Sequence, residues 1–244
     1  MTSSLPRPRK SLGQHFLTDP NIIRKIIALA HLRPDETVLE IGPGRGALTG
    51  ALCRAVKTVV AVEVDAQLGE YLSRTFSNVH NLDLRIGDAL EFPFERLPKG
   101  TVVVANLPYN ISTPILFRLL ESRHRFDRLI LMLQTEVARR LAAKPGGKTY
   151  GSLSVSTQRW TVPSLAFTVS PGCFQPPPEV GSAVLTLTVR KDSLTEPADD
   201  AHFLRIVRAA FAHRRKTLTN SLRDAGLDPG VIAGGLAEAG IQGS

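Results

Sequence analysis

Short apolar runs alternate with amphipathic segments along the first 142 residues. The runs are rich in β-branched residues, which is typical of strands buried on both faces of a sheet. These strands are predicted at residues 37–41, 58–64, 84–86, 101–105 and 128–133. Helices, marked by apolar residues three and four positions apart, are predicted at residues 21–32, 47–55, 66–76, 114–120 and 135–142. This order predicts an α/β fold with a mostly parallel, doubly wound sheet.

The pattern changes after Lys144. Residues 152–158 and 183–190 are predicted to be strands, separated by sequence that is rich in proline and glycine. A polar stretch at residues 191–200 is predicted to be a linker. Three further helices are predicted at residues 202–212, 218–225 and 230–239.

We therefore expect two domains. Residues 1–190 form the α/β domain and include a basic N-terminal segment at residues 1–17. Residues 191–244 form a small all-α C-terminal domain. Because no clear cap ends the last helix, we expect the C-terminal domain to be truncated.

Composition narrows the class of protein. No apolar stretch reaches the length of a membrane span, and the N-terminus lacks the apolar core of a secretory signal. The two cysteines, Cys53 and Cys173, form neither a disulfide framework nor a metal-ligand pattern, and the histidines lack ligand spacing, so no metal is expected. These features predict a cytoplasmic protein, which we expect to be a monomer.

Positive charge is concentrated in two stretches. Residues 1–17 contain Arg7, Arg9 and Lys10 and no acid, and residues 205–223 contain six basic residues and no acid. The six are Arg205, Arg208, Arg214, Arg215, Lys216 and Arg223. Together the stretches carry nine positive charges, more than the net charge of +8 of the whole chain. Such local excess favours a surface that binds phosphates over a generally solvated helix face.

A glycine turn follows the first predicted strand. It spans Glu40-Ile41-Gly42-Pro43-Gly44-Arg45-Gly46, and its glycines let a ligand approach the backbone closely. Glu63 ends the second strand, and Asp88 follows the third. Because parallel strands end at one edge of the sheet, these residues predict a nucleotide site, with Glu63 on the ribose hydroxyls and Asp88 on the adenine amino group.

The glycines do not identify the cofactor. Gly42, Gly44 and Ala47 also match the dinucleotide pattern G-x-G-x-x-A. A nicotinamide-dependent dehydrogenase therefore remains an alternative, although no hydride-transfer site is evident.

Asn106-Leu107-Pro108-Tyr109 follows the fourth predicted strand, at the same edge. The Asn106 side-chain oxygen and the Leu107 carbonyl can accept the two N–H bonds of an exocyclic adenine amino group. Pro108 stiffens the turn, and Tyr109 offers a face on which a base can stack. The pattern predicts transfer of a methyl group to an adenine amino group. Catalysis is expected to come mainly from positioning and electrostatics.

Four segments carry a resemblance to a known family. They are Leu12-Gly13-Gln14-His15-Phe16-Leu17, Asn106–Thr113, Pro171–Val180 and Phe211–Leu222. The chain resembles the ribosomal RNA adenine-N6,N6-dimethyltransferases of the KsgA type over nearly its whole length. The resemblance implies a class I methyltransferase (Rossmann-like) fold, with S-adenosylmethionine as cofactor and S-adenosylhomocysteine as product.

The resemblance also implies a role for individual residues. Cofactor contacts are expected from His15, Leu17, Gly42, Gly44, Glu63, Asp88, Ala89 and Asn106. Chemistry is expected at Asn106, Leu107, Pro108, Tyr109 and Phe174, with the flipped adenine held between the Tyr109 and Phe174 rings. RNA contacts are expected from Arg7, Arg9, Lys10, Arg214, Arg215 and Lys216.

The implied substrate is a pair of adjacent adenosines in a 3′-terminal hairpin loop of small-subunit (16S) ribosomal RNA. The implied partner is a precursor of the small ribosomal subunit. One alternative is a large-subunit methyltransferase of the macrolide-resistance type, which the motif Arg214–Leu218 disfavours. Another is a non-catalytic assembly or transcription factor, which the intact site residues disfavour.

The segment after Phe174 departs from the family pattern. Family members usually carry Lys or Arg where Glu179 stands and Asp where Gly181 stands. The departure puts a local contact or turn beside Phe174 in doubt, but it leaves the predicted chemistry unchanged.

Overall fold

A computed structural model of the chain describes residues 5–192, 200–213 and 215–241, which form nine strands and nine α-helices. The strands are β1 (Phe16–Leu17), β2 (Thr37–Ile41), β3 (Thr58–Glu63), β4 (Leu82–Ile86), β5 (Thr101–Asn106), β6 (Phe126–Gln134), β7 (Thr161–Val169), β8 (Phe174–Gln175) and β9 (Ser182–Val189). The helices are α1 (Pro20–Ala30), α2 (Thr49–Ala55), α3 (Ala66–Thr75), α4 (Ser112–Glu121), α5 (Thr135–Leu141), α6 (Ser152–Gln158), α7 (Asp200–Ala210), α8 (Leu218–Asp224) and α9 (Pro229–Glu238).

Seven strands form one sheet in the order β4-β3-β2-β5-β6-β9-β7. Strands β2 to β6 are parallel, whereas β9 and β7 are antiparallel to their neighbours. Apolar clusters cover both faces: α1 and α2 pack on one, and α4, α5 and α6 on the other. The predicted mostly parallel, doubly wound sheet is therefore confirmed.

The central strand β5 shows why the sheet edge is rigid. Val102 and Val104 belong to one apolar cluster, and Val103 and Ala105 belong to the other. All four side chains are buried, because successive side chains of a strand point to opposite faces. Asn106 is the last residue of this strand, so it lies at the carboxyl edge of the sheet. Its backbone is held because β5 is paired with β2 on one side and with β6 on the other.

The prediction of a strand at residues 152–158 is wrong, because this segment forms helix α6. Its alternating apolar and polar residues suggested a strand. The helix instead buries Leu153, Ser154 and Thr157 together. The Ser154 hydroxyl donates to the Arg140 carbonyl, and the Gln158 amide donates to carbonyls at the end of α5. Tertiary contacts therefore override the local pattern.

Strand β7 was not predicted, because Pro163 interrupts its apolar residues. It lies at the end of the sheet and pairs only with β9, an edge position that tolerates proline. The two-residue strands β1 and β8 also carry too little pattern to be predicted. They pair with each other outside the main sheet and tie residues 16–17 to residues 174–175.

Helix α7 runs antiparallel to α6. At one end the Arg159 guanidinium lies 2.7 Å from the Asp200 carboxylate and 4.5 Å from the Phe203 ring centre. At the other end the Tyr150 and Phe211 rings meet edge to face, with centroids 5.9 Å apart. The predicted boundary between residues 190 and 191 thus separates parts of the chain that contact each other. None of the described helices is both long and apolar enough to cross a membrane.

Arg128 connects the start of β6 to the segment before β2. Its guanidinium forms two 3.0 Å hydrogen bonds to the buried Glu36 carboxylate and also donates to the Ala30 and His31 carbonyls. Replacement by alanine leaves much of a buried charge uncompensated. We expect Arg128→Ala to lower the free energy of unfolding by about 3 kcal/mol in urea titrations.

Arg33→Ala is the matched control, because Arg33 also pairs with Glu36 but its side chain is 61% exposed. We expect Arg33→Ala to lower the free energy of unfolding by less than about 1 kcal/mol. Equal losses for the two variants would contradict the assigned role of Arg128.

Candidate active site at the carboxyl edge of the sheet

A solvent-open cleft of about 700 Å³ lies where strands β2, β3 and β5 end. Three separate parts of the chain line it: the N-terminal segment, the glycine turn and the motif after β5. The lining residues include Leu12–Leu17, Glu40, Gly42–Arg45, Glu63, Val64 and Asn106–Tyr109. The structure thus brings together most of the residues that the sequence analysis assigned to a cofactor and to a target base.

The glycine turn after β2 has the backbone shape that its sequence predicts. Gly42 and Gly44 have φ values of 68° and 58°, in the left-handed region that favours glycine. A Cβ atom at Gly44 would lie 2.9 Å from the Phe16 ring, and one at Gly42 would lie 3.5 Å from the Pro108 ring. The turn is therefore packed against both the N-terminal segment and the motif after β5.

Glu63 joins this turn to the end of β3. One carboxylate oxygen accepts a 3.0 Å hydrogen bond from the Gly44 N–H, and the other accepts one of 3.0 Å from the Asp65 N–H. The side chain is only 4% exposed, and this burial raises the pKa of its carboxyl group despite both bonds. Glu63 is thus a preorganised acceptor facing the cleft.

Asp88 and Ala89 lie at the same edge but outside the cleft lining. Ile86, at the end of β4, pairs with Glu63, so Asp88 follows the neighbouring strand end. The Asp88 carboxylate is exposed and accepts a 2.8 Å hydrogen bond from the Leu90 N–H. The structure therefore places this acid beyond Glu63, with a solvent-facing carboxylate.

Asn106 has an amide whose orientation is set by the N-terminal segment. Its Nδ2 donates a 3.3 Å hydrogen bond to the His15 carbonyl. The amide nitrogen is therefore engaged, and the Oδ1 atom remains as an acceptor. The next residue, Leu107, is buried and donates its N–H to the Met132 carbonyl at 3.1 Å. No donor among the described residues forms a hydrogen bond to the Leu107 carbonyl.

Tyr109 lies half-buried between the cleft and β9. Its hydroxyl is 2.5 Å from the Ser182 hydroxyl oxygen, and burial raises its pKa. The ring stacks on His15, with centroids 5.5 Å apart and an interplanar angle of 26°. His15 Nδ1 lies 2.9 Å from the Pro176 carbonyl, which fixes the imidazole ring.

Phe174, predicted as the second wall for a base, is 4% exposed and packs in an apolar cluster with Leu17. Strand pairing between β1 and β8 holds these two residues side by side. In this structure His15, rather than Phe174, contacts the Tyr109 ring. Leu17, although 5% exposed, also lines the cleft.

Charged contacts hold the N-terminal segment over the cleft. Arg9, predicted to bind RNA, lies 3.5 Å from the buried Asp65 carboxylate, which also accepts a 3.1 Å hydrogen bond from Gln14. The Arg45 guanidinium donates to the Pro6 carbonyl and lies over the Phe16 ring. The predicted RNA residue Arg7 is exposed, and the side chain of Lys10 lies outside the described part.

The C-terminal basic residues lie beside a loop whose positive charge was not singled out from the sequence. Contact between Tyr150 and Phe211 places residues 142–151 next to the turn that holds Arg215 and Lys216. Both of these side chains are exposed, whereas Arg214 lies outside the described residues. The loop region has four basic residues and no acid between positions 139 and 148, a signal that was available in the sequence. These residues are Arg139, Arg140, Lys144 and Lys148.

Two other polar contributors were missed, Asp65 and Ser182, because each contacts a residue distant in sequence: Asp65 contacts Gln14, and Ser182 contacts Tyr109. Glu40 lies within the glycine-turn segment, but its sequence position gave it no role of its own. Within the described ranges, no three His, Cys, Asp or Glu side chains are close enough to hold a metal ion.

Glu40 lies in the cleft wall, 1% exposed, and accepts a 2.7 Å hydrogen bond from the Thr49 hydroxyl. Burial raises its pKa from 4.5 to about 8. The unfolded chain ionises first as pH rises, so the stability contributed by neutral Glu40 is complete below pH 4.5 and is lost up to about pH 8. We expect Glu40→Gln to flatten this decline and to be more stable than the parent protein at about pH 8.

Urea unfolding across this pH range measures the effect, with the exposed Glu91→Gln as control. The Glu91 variant should follow the parent protein at every pH. Parallel declines for Glu40→Gln and the parent would show that Glu40 is already ionised in the folded state.

Comparison with known sequences identifies a family. A family model described as ribosomal RNA adenine dimethylase matches residues 6–229. A protein named ribosomal RNA small subunit methyltransferase A from Moorella thermoacetica is 47% identical, over 96% of this chain and 85% of its own. A protein of the same name from Geobacter metallireducens is 44% identical, over 96% and 86% of the two chains.

Solved structures agree with this assignment. A dimethyladenosine transferase from Plasmodium falciparum superposes with a TM-score of 0.76 at 32% identity, covering 86% of this chain and 75% of its own. The 23S rRNA methyltransferase ErmE superposes with a TM-score of 0.73 at 28% identity, covering 93% and 91%. The chain therefore has the class I methyltransferase fold and belongs to the ribosomal RNA adenine dimethylase family.

Proposed function

We propose that this protein transfers methyl groups from S-adenosylmethionine to N6 of two adjacent adenosines in a 3′-terminal hairpin loop of small-subunit ribosomal RNA. The product is N6,N6-dimethyladenosine, and the protein acts as a cytoplasmic monomer on a precursor of the small subunit. The observation that carries the proposal is the orientation of Asn106, whose Nδ2 is bonded to His15 so that Oδ1 is an acceptor beside the glycine turn.

The cleft fits the proposed cofactor. Gly42 and Gly44 line the cleft and would present their backbone to the methionine part, and the Glu63 carboxylate can accept hydrogen bonds from both ribose hydroxyls. Val64 and Ile86 are exposed apolar side chains between Glu63 and Asp88 and offer a surface for a purine. When bound, S-adenosylmethionine supplies an electrophilic methyl group.

The motif after β5 is suited to hold the target amino group. An adenine amino group is a weak nucleophile because its lone pair is delocalised into the ring. Asn106 Oδ1 and the Leu107 carbonyl can accept its two N–H bonds, which favours a more tetrahedral nitrogen. Proton loss follows transfer, so positioning and electrostatics supply most of the catalysis.

Tyr109 supplies the stacking face for a base that has left its helix, a contact worth about 1–3 kcal/mol in nucleic-acid sites. One face of the ring meets His15, so the base takes the other face or displaces the imidazole. A stacking role for Phe174 requires its ring to leave the apolar cluster that now buries it.

Exposed basic side chains in two neighbouring segments support an RNA substrate. Lys144 and Lys148 lie in the loop before α6, Arg215 and Lys216 lie in the turn after α7, and the contact between Tyr150 and Phe211 brings the two segments together. We propose that these side chains bind phosphates, together with Arg7 and Arg214. We include Arg9, whose side chain is 48% exposed although it also pairs with Asp65.

The small subunit is preferred over the large one because of the names of the relatives. Those at 44–47% identity are named for the small subunit, whereas ErmE, at 28%, is named for 23S RNA. Small and large subunits from cells that lack this protein, offered separately with labelled cofactor, test the choice. Methyl incorporation into the large subunit alone would overturn it.

Asn106→Ala should reduce methyl transfer by about 100-fold to 1000-fold, because it removes an oriented acceptor at the target nitrogen. The substituted side chain also borders the cofactor cleft, so calorimetric binding of S-adenosylhomocysteine is measured in parallel and should weaken far less. Asn78→Ala, an exposed residue between α3 and β4, is the control and should retain full activity. Full methyl transfer by Asn106→Ala would show that the site is misassigned.

The double variant Lys144→Ala/Lys148→Ala should bind the target hairpin more weakly and with less dependence on salt. The plot of log binding constant against log salt should lose about 1–2 units of slope. Lys57→Ala/Lys99→Ala removes the same charge from exposed positions before β3 and β5, at the opposite edge of the sheet. If both double variants lost the same affinity and the same slope, the loss would reflect net charge alone and not a contact at Lys144 and Lys148.

A further inference from the structure

Ser182 anchors the ring of Tyr109. Its side chain is fully buried, and its hydroxyl oxygen lies 2.5 Å from the Tyr109 hydroxyl. Ser182 begins β9, where it is paired with Gln134 of β6 on one side and with Val169 of β7 on the other. The anchor is therefore part of a strand held from both sides.

The adjoining residues make this position more rigid still. The Thr135 N–H, at the start of α5, donates a 2.9 Å hydrogen bond to the Gly181 carbonyl. A Cβ at Gly181 would make an ordinary van der Waals contact with the Thr135 hydroxyl, at 3.4 Å. The backbone hydrogen bond between Thr135 and Gly181, rather than the absence of a side chain, therefore holds the start of β9 against α5.

The Tyr109 hydroxyl has no other hydrogen-bond partner among the described residues. Its ring is restrained on one face by His15, while the hydroxyl bond fixes the angle at which the ring projects. A buried hydroxyl that loses its partner must turn toward another one, and the ring turns with it. Because a base stacked on the ring takes its plane from the ring, any such rotation shifts the base.

We propose that Ser182 is a positioning residue for methyl transfer: it holds the plane of Tyr109 so that the amino group of the stacked adenine meets Asn106. The inference rests on the proposed function. It adds Ser182 to the residues on which methyl transfer depends. Ser182 lies 73 positions after Tyr109 in the sequence and is not part of the cleft lining.

A double-mutant cycle tests the proposal, using the parent protein, Ser182→Ala, Tyr109→Phe and the double variant. Each single variant removes the same hydrogen bond from one side, and phenylalanine keeps the stacking face. We expect each to lower kcat by about tenfold, with little change in the KM for the cofactor. In the Tyr109→Phe background, Ser182→Ala should cause almost no further loss, because its partner is already gone.

A merely structural role gives a different pattern. Ser182→Ala would then lower the melting temperature and reduce activity by the same factor in both backgrounds, which would overturn the proposal. If Ser182→Ala does not fold, Tyr109→Phe alone decides: full kcat overturns the proposal, and a tenfold loss with an unchanged melting temperature supports it.

The same assay distinguishes a failure of the proposed function from a failure of the role of Ser182. A parent protein that methylates neither ribosomal subunit would refute the proposed function. An active parent with independent, multiplicative losses in the cycle would refute only the role of Ser182.

Discussion

The buried carboxylate of Glu63 binds the parts of the cleft to one another. Its oxygens accept the N–H groups of Gly44 and Asp65, so the turn after β2 and the start of α3 are fixed to the end of β3. The Asp65 carboxylate in turn accepts a hydrogen bond from Gln14 and pairs with Arg9. These two contacts hold the N-terminal segment across the opening of the cleft. Loss of the Glu63 carboxylate would leave the buried Asp65 N–H and the partly buried Gly44 N–H unpaired, so the cleft depends on this group even without a ligand.

Burial also sets the charge of this region. Desolvation raises the pKa of both Glu40 and Glu63, and the value for Glu40 reaches about 8. Near neutral pH the cleft wall therefore holds one neutral carboxyl group beside the acceptor that faces the ligand. The Thr49 hydroxyl satisfies Glu40, and the arrangement avoids two adjacent buried negative charges.

The target side of the cleft is oriented from outside its own motif. The carbonyl that orients Asn106 belongs to His15, 91 positions earlier, and the hydroxyl that anchors Tyr109 belongs to Ser182, 73 positions later. Pairing of β1 with β8 places His15 near the Pro176 carbonyl that holds its ring. A short motif thus supplies the chemical groups, while distant segments fix the directions in which they point.

The sequence by itself determined the sheet of parallel strands, the glycine turn, and Glu63 and Asn106 at neighbouring strand ends. These depend on local apolar patterns and on the rule that parallel strands end at one edge. Only the tertiary structure decided that residues 152–158 form a helix, that Phe174 is buried, and that Arg9 lies beside Asp65. Each of these outcomes depends on contacts between distant segments, because burial and pairing energies exceed the weak local preferences that a sequence pattern records.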